Sequence, residues 1–74
     1  MNTDHLVHMA NRIGEFFQAM PDRSEAMEGI ATHLKRFWEP RMRQALADHV
    51  DRHGGQGLMP LVRDALSLHR AVLD

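Results

Sequence analysis

Seventy-four residues with no cysteine, and nine basic against ten acidic side chains, bound what this chain can be. The length fits one domain spanning 1–74, with a core worth only about 3–5 kcal/mol net, so that burial against a partner would add to its stability. Absent thiols exclude disulfide staples, a catalytic thiolate and cluster ligation through Cys, and a net charge of −1 argues against general phosphate binding. No run approaches the roughly 20 apolar residues that cross a bilayer, and residues 1–8 lack the basic and apolar regions of a signal peptide, so the expected location is the cytoplasm, with no membrane partner.

The periodicity is helical throughout. Leu6, Met9, Ala10, Ile13, Phe16, Phe17 and Met20 recur at the spacing of one helix face, with Thr3 or Asp4 as cap and Pro21 as the stop. Gly14 inside this helix implies close approach of a neighbouring helix. A second helix opens at Asp22 or Ser24, where Asp22 and Glu25 have the spacing of a capping box. Its apolar stripe is Met27, Ile30, Ala31, Leu34, Phe37 and Trp38. Glu39 precedes Pro40 and is pushed out of the helical region, and Pro40 suits the first turn of a third helix running to about Arg52. Met42, Ala45, Leu46, His49 and Val50 form one side of that helix.

His53-Gly54-Gly55-Gln56-Gly57 is a loop and a helix terminator. No strand precedes it and no Gly-Lys-Ser/Thr follows, so it is not a phosphate cradle of the familiar kind. Pro60 starts the last helix, with Leu58, Leu61, Val62, Ala65, Leu66, Leu68, Val72 and Leu73 on a wide stripe. The fold class is therefore all-α, a small four-helix bundle or its variant with three long helices and one short.

Residues 36–43, Arg-Phe-Trp-Glu-Pro-Arg-Met-Arg, concentrate the chemistry of the chain. Lys35, Arg36, Arg41 and Arg43 against Glu39 leave +3 in residues 35–43 and −4 elsewhere. Large rings beside guanidinium groups suit protein contact, and aromatics at helical spacing equally suit a core; one ring facing inward and the other outward satisfies both. Phe37, Trp38, Pro40, Arg41, Met42 and Arg43 are accordingly the candidate partner interface.

Other chemistry is weak. His5 and His8, or His49 and His53, have chelating spacing, but His8 falls off the apolar face and neither pair has an adjoining carboxylate to orient it. His49, His53 and His69 project onto apolar stripes, where core hydrogen bonding or a partner surface explains them better than metal does. No carboxylate pair or activated nucleophile stands out, so no catalytic, cofactor-binding or metal-ligating residue is expected and the chain reads as not an enzyme. Arg41, Arg43 and Gln44 could face a DNA groove, but Asp48 and Asp51 on the same helix would repel phosphates, so no nucleic acid is expected.

Three blocks together carry a resemblance: residues 6–14 (Leu-Val-His-Met-Ala-Asn-Arg-Ile-Gly) with Phe16-Phe17, the run from Phe37 to Arg43, and residues 54–62 (Gly-Gly-Gln-Gly-Leu-Met-Pro-Leu-Val) leading to Ala65-Leu66. In that order and spacing the chain resembles the delta subunit of the soluble, NAD-dependent, molybdenum-containing formate dehydrogenases of bacteria. The resemblance implies a small accessory subunit of a multi-subunit oxidoreductase complex, with the large catalytic subunit as partner. It also implies that molybdenum pterin, iron–sulfur clusters, flavin and NAD reside on other subunits and no cofactor on this one. Two alternatives stand beside a stable docked subunit: a transient maturation factor for cofactor insertion, and a metal-responsive helical module.

Overall fold

The start of each helix follows from the residue that precedes or opens it. The computed structural model describes residues 2–74. Helix α1, Thr3–Phe17, begins where Asn2 Oδ1 accepts the backbone N–H groups of Asp4 and His5 at 2.9 and 3.3 Å. Asn2, and neither Thr3 nor Asp4, is thus the cap, and Asp4 sits in the first turn where the helix dipole favours a carboxylate. Helix α2, Arg23–Phe37, is capped as expected by Asp22, which accepts the Glu25 N–H at 3.2 Å. Helices α3, Pro40–His53, and α4, Pro60–Leu68, both open on proline, whose missing N–H is no loss there. Gly54 ends α3 in the left-handed region at φ 66°, and Gly55 and Gly57 follow at φ 71° and 91°, a path open to glycine at low strain.

Two helix ends fall short of the pattern. The first helix, expected to reach Met20, stops at Phe17, and the Met20 N–H bonds back to the Phe17 carbonyl at 3.0 Å in a tight turn. Pro21 disfavours helical geometry at the preceding residue, so the chain leaves the helix before reaching it. The last helix, expected to continue through Leu73, breaks at His69 (φ −114°, ψ 43°) into a 3₁₀ turn, Arg70–Leu73. The break turns Leu73 into the core, where it is buried, and sets the turn against α2, α3 and α4.

Helix α2 packs against α1 and α4, and α1 also packs on α3. One core results: Leu6 and Ala10, Ile30 and Leu34, Trp38, Leu46, Leu58, Val62 and Leu66, and Leu73. Each fully buried leucine contributes about 1.5–3 kcal/mol relative to exposure. Gly14 takes the role its sequence position implied: a Cβ there would stand 2.4 Å from Val62 Cγ2, so its absence lets α4 approach α1 closely.

Four residues expected on apolar faces lie outside. Phe16, Phe37 and Leu68 are 76%, 66% and 63% exposed, and His53 is exposed as well. By helical count Phe37 lies on the side of Ile30, yet nothing among the described residues covers the last turn of α2 there.

Candidate partner interface

The α2–α3 corner separates the two aromatics that sequence alone leaves together. Phe37 is the last residue of α2, whereas Trp38 turns to extended backbone (φ −88°, ψ 138°) and enters the core at 6% exposure. Pro40 then begins α3, so the corner is one extended pair of residues between two helices.

Arg43 locks that corner. It is buried at 8% exposure, and its Nη1 donates to the carbonyls of Lys35 at 2.8 Å and Trp38 at 3.2 Å. Carbonyls in the last turn of a helix have no intrahelical partner, so a guanidinium reaching from α3 satisfies two acceptors at the end of α2 and favours its dipole. The Nε of Arg43 is buried without an acceptor among the described residues.

Of the six candidate residues, then, Trp38 and Arg43 face inward and Met42 is half-buried, while Phe37, Pro40 and Arg41 are exposed. Arg36 lies with its guanidinium carbon 5.6 Å from the Phe37 ring centre, within cation–π range, and His33 approaches the same ring at 4.8 Å between centres. Arg41 enters no ion pair among the described residues. The outward side of the corner therefore shows a solvated phenyl ring with one guanidinium, that of Arg36, beside it, and an exposed Arg41 at the start of α3. Phe16 adds a second exposed ring at the end of α1, edge-on to Phe17 at 5.1 Å.

Sequence reasoning passed over Asn11. Its Nδ2 donates to the Gly57 carbonyl and its Oδ1 accepts the Met59 N–H, both at 2.9 Å, so one α1 side chain clamps the glycine-rich loop just before α4. An Asn on the flank of an apolar stripe, far in sequence from the loop, gives no local signal of that pairing.

The histidines of α3 make local contacts. His49 is half-buried and its Nε2–H donates to the Gln56 carbonyl at 2.7 Å, which leaves only Nδ1 for any other ligand. The His53 ring lies 5.8 Å from it. Among the described residues no group of three or more His, Asp or Glu is placed to share a metal ion. With no thiolate in these 74 residues, the side chains do not fit an iron–sulfur cluster. Nor is any described helix long and apolar enough to cross a membrane.

What the fold and this corner define is a small all-α protein whose exposed rings and guanidinium groups suit protein contact. Residues 5–66 match the family model of the NADH-dependent formate dehydrogenase delta subunit, FdsD, and the chain belongs to that family. It is a subunit of a formate dehydrogenase complex, with the other subunits of that enzyme as its partners. No curated protein and no solved structure shows significant similarity to it.

Proposed function

We propose that the chain is a non-catalytic subunit that docks on the large catalytic subunit of a cytoplasmic, molybdenum-containing formate dehydrogenase and supports assembly or stability of the active complex. The observation that carries this reading is the exposed Phe37, with the Arg36 guanidinium over its ring, at a corner that Trp38 and Arg43 tie into the core. A ring presented on a fixed scaffold loses little freedom on binding, and Arg beside an aromatic is a frequent energetic centre of interfaces. In this reading Phe37, Arg41 and Pro40 meet the partner, while Trp38, Met42 and Arg43 hold them in place. On the same reading molybdenum pterin, iron–sulfur clusters, flavin and the NAD site belong to the partner subunits.

The test is purification of the complex through a tag on the large subunit, with quantitative mass spectrometry of this chain. One copy per large subunit in active enzyme is the expected result. A trace amount that rises when molybdenum cofactor supply is blocked would replace the docked subunit with a transient maturation factor.

A further inference from the structure

A shallow furrow of about 480 Å3 runs along the outward side of α2. Phe17 and Met20, at the end of α1 and in the turn after it, and Phe37, at the end of α2, supply its apolar surface. Gly29 sets its floor: a Cβ there would stand 2.4 Å from Phe17 Cε1, so glycine lets the ring lie against the α2 backbone. The two ends carry opposite charge, with Glu25 and Glu28 near the start of α2 and Arg36 in its last turn. None of these three enters an ion pair among the described residues. From Glu25 to Arg36 the helix rises about 16 Å, or roughly three turns.

We propose that this furrow receives an amphipathic helix of about three turns from another subunit of the complex. That helix carries a bulky apolar side chain between Phe17 and Phe37, a cationic side chain facing Glu25 and Glu28, and a carboxylate facing Arg36. The inference rests on the docking reading above and adds the shape and polarity of the segment that docks. Unpaired charges of opposite sign at the two ends select a segment of matching polarity and oppose one laid in reverse. A polyanion would meet Glu25 and Glu28 unfavourably. A second copy laid antiparallel would match the same charges, but two concave furrows face to face leave a void that one convex helix fills.

The experiment uses the assembled complex, purified through the large subunit, with the full chain unaltered or carrying Glu28→Lys, Arg36→Glu or, as a control on the outer face of α1, Arg12→Glu. Retention of the chain and hydroxyl-radical oxidation of Phe17 and Phe37 are measured, and melting of each isolated variant confirms folding. The expected result is a loss of retention of about tenfold for each furrow variant, greater at lower salt, with no loss for the control. Phe17 and Phe37 are expected to be shielded in the complex and reactive in the isolated chain. Full retention of the furrow variants with Phe17 reactive and Phe37 shielded would overturn the inference and leave docking through the corner intact. A dimer of the isolated chain broken by Glu28→Lys, with retention unchanged, would assign the furrow to a second copy and equally overturn it. Absence of the unaltered chain from the complex would remove the docking reading itself.

Discussion

Arg43 and Asn11 each use one side chain to satisfy two backbone groups from another part of the fold, and both pairs of bonds are specific enough to test. Replacing Arg43 by Met keeps much of the apolar stem but strips the Lys35 and Trp38 carbonyls of their donor. A loss of about 1–3 kcal/mol in urea unfolding of the isolated chain is expected, because buried acceptors are left unmet. Asn11→Asp retains the acceptor for Met59 N–H but sets a carboxylate against the Gly57 carbonyl. It is expected to destabilise at neutral pH and to recover as the carboxyl protonates near pH 4, where it regains a donor. A flat pH response for this variant relative to the parent would show that the clamp is unimportant. At this scale the sequence marked out residues 36–43 and left the orientations of their side chains open. Phe37 and Trp38 are adjacent, and which one turns inward depends on the extended dihedrals of Trp38 and on the core it enters.

Helix starts were legible because their causes are local: Asp22, Pro40 and Pro60 each act within one turn. Helix ends were less so. The break at His69 serves the packing of Leu73 against three other elements, a tertiary demand that periodicity along one segment does not carry. Contact between α1 and α4 gives an element-scale test in Gly14→Ala. Alanine is worth up to about 1 kcal/mol in helix propensity, but the added methyl meets the stiff, branched Val62, and overpacking costs about 1–3 kcal/mol. A net fall in melting temperature is expected. A rise would mean that the two helices move apart freely.

The closing 3₁₀ turn is tied to α3 by a two-pronged ion pair between Arg70 and Asp51, one contact at 2.9 Å. The hydrogen bonds from Arg70 hold the Asp51 carboxyl below its ordinary value. A lowered folded-state pKa stabilises above the unfolded value, near pH 4, and that contribution is lost as pH falls through the folded value. Arg70 is shifted upward from an already alkaline value, so it adds no change in the ordinary range. Arg70→Gln is therefore expected to flatten the dependence of melting temperature on pH below about 4, with the effect small because both groups are exposed. An unchanged acid limb would show that the pair contributes nothing in solution.

For the molecule as a whole, the all-α class and the helix order were readable from period and punctuation, whereas the candidate interface was readable only as a cluster. Burial divides that cluster into inward-facing and exposed residues, and the division yields opposite expectations for neighbouring residues. Trp38→Ala empties a core site and is expected to cost about 3–5 kcal/mol, a large share of what a chain this short possesses. Its effect on the complex then follows from unfolding. Phe37→Ala removes an exposed ring and is expected to leave melting of the isolated chain within about 2–4 °C of the parent, since surface changes are usually within about 0.5 kcal/mol. The decisive measurement is the amount of this chain retained per large subunit when the complex carries Phe37→Ala, read by quantitative mass spectrometry. A fall of roughly thirtyfold in affinity, equivalent to about 2 kcal/mol at an interface centre, is expected to deplete the chain from purified enzyme while it stays folded. Retention equal to the parent across dilution would contradict docking through this corner.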